Sequence, residues 1–247
     1  MQVTWHFTKA DQKSVKTIIE EQWDDPLVQE RIARNLADEK RNVTRTHFWK
    51  ALVSTRLTTQ ARIIPTGRLA TFQRSSPFAL RYNLVRINNH PEGFILSTLN
   101  QYQAGRHRNV ISAQLSENLN FLEEGGWNET LQHCNKLLVP QNKCVEAEIA
   151  DYLSDHFKGF GPKQSRNLLQ YLGLARYEIP LDSRVMKWLD VTLGFPFIIS
   201  STALADRHVY RLVLDAIQEL CALCKVYPCL LDAAIFASYG HNDDEEL

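Results

Sequence analysis

The chain has 247 residues and a mass of 28.5 kDa, enough for one domain or two small ones. Its 10 glycines and 9 prolines make up about 8% of the residues, against roughly 12% in average usage, which excludes a collagenous or low-complexity protein and disfavours a turn-rich β-sandwich. The 28 basic side chains equal the 28 acidic ones, so the total charge indicates neither nucleic acid nor an acidic membrane as a partner.

Helical periodicity recurs along most of the chain, and no alternation is long enough to predict a strand. Gly173 stands where it can end one of these helices as a C-terminal cap. The apolar positions that carry the pattern are Phe48 and Leu52, then Val145, Ile149, Leu153 and Phe157, then Leu168, Leu169 and Leu172, then Val209, Leu212, Val213, Ile217 and Leu220, and last the stretch from Leu230 to Tyr239. The sequence therefore predicts an all-α protein of about ten helices.

No segment has the length and composition of a membrane span or a signal peptide. The longest stretch without a charge, Val191 to Ala205, has 15 residues and contains Pro196, whereas a span needs about 20 apolar residues. Residues 1–16 lack an uninterrupted apolar core. Five cysteines at irregular spacing fit a reducing compartment. We expect a cytoplasmic protein without a membrane partner.

The balanced total charge conceals an uneven distribution along the chain. Residues 50–110 carry nine cations against the single acid Glu92, a net charge of +8, and eight of the nine are arginines. Residues 111–157 carry a net charge of −6. Arginine is suited to bidentate phosphate contacts, so the first segment predicts a DNA-facing surface. The alternative is a solvated surface whose charges cancel in three dimensions.

A short glycine-rich turn separates two of the predicted helices, at Lys158-Gly159-Phe160-Gly161-Pro162-Lys163. Glycines allow a sharp turn, a positive φ and close approach to a ligand, and Pro162 suits the first position of the next helix. Free amides at a helix N-terminus bind anions. We therefore predict that Gly159, Phe160 and Gly161 contact a DNA phosphate without reading sequence. A plain helix-helix turn is the alternative.

Nineteen residues after Lys163 comes Asp182, within Ile179-Pro180-Leu181-Asp182-Ser183-Arg184-Val185. With the hairpin, this combination resembles the helix-hairpin-helix, Gly/Pro-rich loop, aspartate superfamily of DNA glycosylases, best between residues 146 and 189. The resemblance implies an all-α, two-lobed fold with the active site in the cleft between the lobes. We assign residues 46–174 to the lobe with the hairpin and residues 175–247 to the other, against which residues 1–45 pack.

Family members with a lysine at the position of Lys163 are bifunctional glycosylase/lyases. A lysine amine at C1′ can displace the base, form a Schiff base with the opened sugar and allow β-elimination of the 3′ phosphate. A carboxylate such as Asp182 stabilises the oxocarbenium-like sugar, and it or a nearby base must accept the proton of the lysine. The plainer alternatives are that Asp182 only caps a helix and that Lys163 only contacts a phosphate.

The segment from Phe48 to Gln60 resembles the family helix whose end supplies a Gln or Asn to fill the hole left by an extruded base. This implies that Gln60 enters the DNA stack, and we predict DNA contacts for the neighbouring Arg56 and Arg62.

Cys221, Cys224 and Cys229 resemble the four-cysteine iron-sulfur loop of endonuclease III-like relatives only in part. Their spacing is C-x2-C-x4-C, and the first two lie in a helical apolar pattern. We interpret them as buried core thiols and predict neither a cluster nor another metal or cofactor.

The last helix resembles the one on which 8-oxoguanine DNA glycosylases hold the flipped base. Asp232 and Phe236 are four residues apart and share one face, so the ring can stack on the base and the carboxylate can accept from the N1–H and N2–H groups of a guanine. Asn167 falls where some relatives place a cysteine against the base. The alternatives are a core role for Phe236 and a helix-end preference for Asp232.

Together these features predict a bifunctional DNA glycosylase and AP lyase that acts, as a monomer, on double-stranded DNA containing a damaged base, with 8-oxoguanine favoured. Within the enzyme class, the alternative is an oxidised-pyrimidine glycosylase without a cluster. Outside it, the alternative is a non-catalytic DNA-binding protein that uses the hairpin alone.

Overall fold

The computed structural model describes residues 3–58, 67–139, 142–196, 199–200 and 202–242. These residues form thirteen α-helices and no strand, which confirms the predicted all-α class. The first seven helices are α1 (Lys9–Glu21), α2 (Pro26–Asn35), α3 (Arg45–Leu57), α4 (Arg68–Gln73), α5 (Tyr82–Arg86), α6 (Pro91–Tyr102) and α7 (Arg108–Phe121). The others are α8 (Trp127–Lys136), α9 (Lys143–His156), α10 (Pro162–Tyr171), α11 (Ser183–Leu193), α12 (Arg207–Cys224) and α13 (Pro228–Asn242).

The predicted number of about ten helices was too low because α4 and α5 are short. With six and five residues they are too short to show a repeating apolar face. The helix ends follow local rules. Asn142 and Asp206 cap α9 and α12 through their side chains, and Gly173 ends α10 with a φ of +75°, as predicted.

Two hydrophobic cores divide the molecule into two lobes. The core of the first lobe is built from residues between Val43 and Ala175, and it includes α3, α9 and α10. The core of the second lobe combines Val15 to Val28 with Ile179 to Ala237. Helices α1 and α2 therefore pack on α12 and α13, although they lie at the opposite end of the sequence. The two-lobed architecture predicted from the resemblance is confirmed.

A set of charged side chains joins the lobes, and we call Asp151, Arg166, Glu178 and Arg211 the joint cluster; the first three are buried, and Arg211 is partly exposed. Arg166, on α10, donates from Nε to Glu178 at 2.7 Å and from Nη2 to Asp151 at 3.2 Å. Asp151, on α9, also accepts from Arg211 on α12. Burial opposes the charge of Arg166, but Glu178 and Asp151 outweigh it and raise its pKa. The cluster links the first lobe to the second.

Glu146 holds the chain where it passes from one lobe to the other. Its carboxylate is buried and accepts hydrogen bonds from the backbone N–H groups of residues 176, 177 and 178, at 2.7 to 3.0 Å. Burial outweighs these three donors and raises the pKa of Glu146 to about 7. Part of the acidic segment predicted from the sequence is thus used inside the protein, by Glu146 and Asp151.

Cys221, Cys224 and Cys229 are free thiols buried in the core of the second lobe, as expected for core residues. Among the described residues, no group of three His, Cys, Asp or Glu side chains is placed to hold a metal ion. No single helix of the described chain is long and apolar enough to span a membrane, and only α12 and α13 together, bent by 100°, reach that length and composition.

Candidate active site

A cavity of about 680 Å³ lies between the lobes, a size typical of ligand sites. Its walls come from α3 and α10 of the first lobe and from α2, α11 and α13 of the second. The residues that line it include Arg31, Arg34, Thr55, Lys163, Asn167, Gln170, Asp182, Arg184, Lys187, Asp232 and Phe236. The tertiary structure thus brings the predicted pair Lys163 and Asp182 to one cavity, together with the predicted base-pocket residues.

Lys163 stands in the first turn of α10, two residues after Gly161. Its side chain is exposed to the cavity and makes no hydrogen bond or ion pair with any described residue. No side chain caps α10, and a Cβ atom added to Gly161 would meet nothing within 4 Å. The amides at this helix N-terminus are therefore open to an anion.

The hairpin before Lys163 is held from inside the protein. Asn118, on α7, accepts from the Lys158 N–H at 2.7 Å and donates to the Lys158 carbonyl at 3.1 Å. Gly159 has a φ of +80°, and a Cβ there would come within 2.4 Å of Arg56 Nε. The close approach predicted for this glycine is thus to a side chain of the protein, whereas Gly161 faces open space.

Two predicted DNA contacts, Phe160 and Arg56, are interior residues. The Phe160 side chain is buried in the first core beside Phe157. Arg56 is buried beneath the hairpin, where its Nε donates to Gln114 at 2.8 Å and burial lowers its pKa. Both side chains are thus used to support the turn from below. The hairpin contact was predicted for backbone amides, which the burial of the Phe160 ring does not test, whereas the burial of Arg56 speaks against a direct DNA contact of its side chain.

Asp182 is the N-cap of α11. Its Oδ1 accepts from the backbone N–H groups of Arg184 at 2.9 Å and Val185 at 3.0 Å. Its Oδ2 lies 3.4 Å from Arg184 Nη1, and the side chain keeps contact with the cavity. The predicted capping role is confirmed, and it orients the carboxylate toward the cavity that Lys163 also lines.

Asp232 is buried in the cavity wall and forms an ion pair with Arg31, from Oδ2 to Nη1 at 2.9 Å. Burial raises the pKa of Asp232, and Arg31 opposes this shift. The buried Arg31 Nε and Thr55 Oγ1 have no hydrogen-bond partner among the described residues. Gln170 lies beside the same carboxylate, but its Nε2 makes no hydrogen bond of ordinary geometry. We call Arg31, Thr55, Gln170 and Asp232 the pocket cluster.

Phe236 and Asn167 both border the cavity. The Phe236 ring is 39% exposed, and the Arg184 guanidinium lies 4.2 Å from its centroid. The ring therefore offers its remaining surface to a ligand, and the core alternative does not hold. Asn167 is half-buried, and its amide donates to Gln164 at 3.3 Å.

The cavity's positive charge does not come from the segment in which it was predicted. Arg31, Arg34, Lys163, Arg184 and Lys187 line the cavity, and no described cation of residues 50–110 does. The described arginines of that segment at 68, 74, 81, 86 and 106 are instead exposed elsewhere on the surface. Sequence reasoning missed Arg31, since its partner Asp232 is 201 positions away. Arg184 was detectable from its place two residues after Asp182.

Gln60 and Arg62, predicted to contact DNA, lie outside the described residues. The helix predicted to lead to them is α3, which ends at Leu57.

Two solved structures from Methanocaldococcus jannaschii are similar to this chain. One is an 8-oxoguanine glycosylase/lyase in complex with a 15mer DNA containing 8-oxoguanine, with a TM-score of 0.65, 14% identity, and coverage of 90% of this chain and 95% of that one. The other is an 8-oxoguanine DNA glycosylase, with a TM-score of 0.63, 15% identity, and coverage of 91% and 92%. The predicted resemblance is thereby confirmed at the level of the fold.

Comparison of the sequence alone finds no matching family model and no similar curated protein.

Proposed function

We propose that this protein is a bifunctional DNA glycosylase and AP lyase that removes an oxidised purine, 8-oxoguanine in first place, from double-stranded DNA. The observation that carries the proposal is the meeting of Lys163, from the first lobe, and Asp182, from the second, in one cavity. The fold shared with two 8-oxoguanine glycosylases supports it. One chain supplies both walls of the cavity, so we propose that it acts as a monomer.

In the proposed reaction, the damaged nucleotide leaves the stack and its sugar enters the cavity. The neutral Lys163 amine attacks C1′ as the C1′–N bond to the base breaks, and Asp182 stabilises the positive charge that develops on the sugar. One proton of the attached lysine nitrogen passes to the departing base or to Asp182. The nitrogen lone pair then opens the sugar ring by breaking the C1′–O4′ bond, O4′ takes up a proton from Asp182 or water, and a protonated Schiff base forms. The resulting Schiff base makes the C2′ proton acidic, so its loss expels the 3′ phosphate by β-elimination.

The pocket cluster supports a guanine-derived base. Asp232 presents a carboxylate acceptor, and Arg31 presents an unpartnered donor beside it. The Watson–Crick edge of a guanine has the matching groups, with an acceptor at O6 and donors at N1 and N2. The exposed face of the Phe236 ring supplies a stacking surface for the same base.

The open amides of α10 and the cations around the cavity suit the DNA backbone. Gly161 permits close approach of a phosphate to the helix N-terminus, and Lys187 and Arg34 add positive charge at the cavity. Binding to duplex DNA should therefore weaken as the salt concentration rises.

Borohydride trapping tests the lyase chemistry. The wild-type protein should give a covalent adduct with duplex DNA containing 8-oxoguanine, and Lys163→Gln should abolish it. Lys187→Gln is the matched control because it removes another cavity lysine, and at protein concentrations that saturate the DNA it should leave the adduct. Asp182→Asn keeps an N-cap residue while removing the charge, and it should slow base excision about 100-fold or more. No adduct with any lesion-containing or abasic duplex would refute the lyase, and binding without excision would indicate a non-catalytic protein.

A panel of lesion duplexes tests the base assignment. Excision of 8-oxoguanine should exceed that of oxidised pyrimidines, and Asp232→Ala should reduce it. Faster excision of an oxidised pyrimidine would favour the alternative glycosylase, and unchanged 8-oxoguanine excision by Asp232→Ala would remove this carboxylate from recognition.

A further inference from the structure

Arg166 connects the helix of Lys163 to the segment that carries Asp182. It lies three residues after Lys163 on α10, and its side chain is 1% exposed. Its Nη1 donates to the Pro162 carbonyl, next to Lys163, at 3.2 Å, and its Nε donates to Glu178 at 2.7 Å. One rigid guanidinium therefore contacts both the first turn of α10 and the start of the segment from 178 to 182.

Tyr210 continues this connection from α12. Its ring centroid lies 4.9 Å from the Arg166 guanidinium, so the two stack inside the protein. Its hydroxyl accepts from the Leu181 N–H at 2.8 Å and donates to the Ile179 carbonyl at 2.8 Å. Both hydrogen bonds hold the backbone immediately before Asp182, and Tyr210 is fully buried.

We propose that Arg166 and Tyr210 are positioning residues that set the distance and orientation between Lys163 and Asp182. Neither borders the cavity, so neither touches the substrate. They act through the two reacting side chains, which belong to different lobes and share no direct hydrogen bond or ion pair in the described chain. The inference rests on the proposed function, since it assigns a role only if Lys163 and Asp182 react together.

A positioning role for Tyr210 is distinguished from ordinary core packing by the hydrogen bonds of its hydroxyl. Packing would use only the apolar surface of the Tyr210 ring, whereas here the hydroxyl uses its donor and an acceptor on one backbone segment. Small misplacement of reacting groups lowers the rate of the chemical step strongly, even where substrate binding is retained. Removing the hydroxyl alone should therefore affect chemistry more than DNA binding.

The test compares Tyr210→Phe with Tyr152→Phe in the full chain. Tyr152 is also buried, and its hydroxyl makes a 3.1 Å hydrogen bond with Thr130 in the first lobe, away from the cavity. Each variant loses a buried hydroxyl, so both should lower the melting temperature, Tyr210→Phe by more because it leaves two backbone groups without this partner rather than one side-chain hydroxyl. Only Tyr210→Phe should lower the single-turnover excision rate, by about 10- to 100-fold, with the dissociation constant for lesion DNA changed less than about twofold.

Arg166→Lys should also lower the single-turnover excision rate with little change in the dissociation constant for lesion DNA. Lysine keeps the positive charge but cannot make the forked contacts of the guanidinium. This variant keeps the test open if Tyr210→Phe does not fold. An unchanged rate in a folded Tyr210→Phe protein, or an equal loss of rate in both tyrosine variants, would overturn the positioning role while leaving the proposed function intact. A wild-type protein that excises no base would overturn both.

Discussion

The two buried charge clusters differ in how completely their hydrogen-bonding groups are used. In the joint cluster, each nitrogen of Arg166 donates to an oxygen, and Glu178 accepts from both Arg166 and Gln218. In the pocket cluster, Arg31 pairs with Asp232 through one nitrogen, while its buried Nε and the Thr55 hydroxyl have no partner in the described chain.

This difference fits the proposed function, in which the pocket cluster meets the base and the joint cluster does not. A buried polar group without a partner is costly, so native proteins rarely retain one without a function. The joint cluster is satisfied by the protein and holds the lobes together. The pocket cluster borders an open cavity, where a ligand can supply the missing acceptors.

Within three residues, the hairpin also contains one position whose surroundings are filled by the protein and one whose surroundings are open. The space beside Gly159 is filled by Arg56 and Gln114, whereas the space beside Gly161 is open. The first glycine is therefore required by the packing beneath the hairpin, and the second is open, as the proposed phosphate contact requires.

The sharpest test replaces one carboxylate of each cluster by its amide. Glu178→Gln leaves the buried Arg166 with Asp151 as its remaining carboxylate partner in the described chain, and it should lower the free energy of unfolding by about 2–4 kcal/mol. Asp232→Asn should cost less, about 1–2 kcal/mol, because the side chains of Arg31 and Asp232 border the cavity and keep 10% and 8% of their surface exposed, against 1% and 3% for Arg166 and Glu178. Urea unfolding measures both. Equal costs would mean that the two clusters are equally structural.

A second test uses the acidity of Glu146. Its pKa is raised to about 7 in the folded protein, so the folded state binds this proton more tightly than the unfolded state. The stabilisation is complete below the unfolded pKa of about 4.5 and is lost as the pH rises through about 7. The unfolding free energy of the wild type relative to Glu146→Gln should therefore fall by about 2–3 kcal/mol over this range.

The matched control is Glu148→Gln, which changes an exposed glutamate on the same helix. Its unfolding free energy should depend on pH as that of the wild type does. If Glu146→Gln kept the wild-type dependence of the unfolding free energy on pH, another titrating group would be responsible for it.

The glycine pair gives a third test. Gly159→Ala places a Cβ against Arg56 at a positive φ and should cost about 1–3 kcal/mol of stability. Gly161→Ala should change stability by less than about 0.5 kcal/mol but weaken DNA binding about tenfold, because the added methyl group stands in front of the open amides. Thermal unfolding and DNA titration measure the two effects. Unchanged DNA affinity in Gly161→Ala would remove the hairpin from the DNA interface.

Phe236→Ala should have the smallest effect on stability, below about 1 kcal/mol, since the ring is partly exposed and its described ring contact is with Arg184. Excision of 8-oxoguanine should nevertheless fall about 10- to 100-fold, because base–aromatic stacking is lost. Steady-state excision and melting temperature measured on the same preparation check the contrast. A large loss of stability would make Phe236 a core residue.

Local features were predictable because neighbouring residues produce them. The hairpin, the cap at Asp182 and the cap at Gly173 follow from backbone requirements within a few residues. The sequence did not show that the side chains of Arg56 and Phe160 are buried, because a charged or aromatic side chain near a glycine turn has the same local pattern whether it faces DNA or the core. Their burial depends on α7 and on the first core, which are distant in sequence.

By itself, the sequence determined an all-α chain with a glycine hairpin, a lysine after it and an aspartate at a later helix start. These follow from short-range spacing and from the conformations that glycine, proline and capping residues favour. Only the tertiary structure decided which charges meet. Packing α2 against α13 pairs Arg31 with Asp232, and packing α10 against α12 stacks Arg166 on Tyr210. Such pairings depend on how the apolar faces of distant helices are buried together, which sets the geometry of the cavity and of the residues that support it.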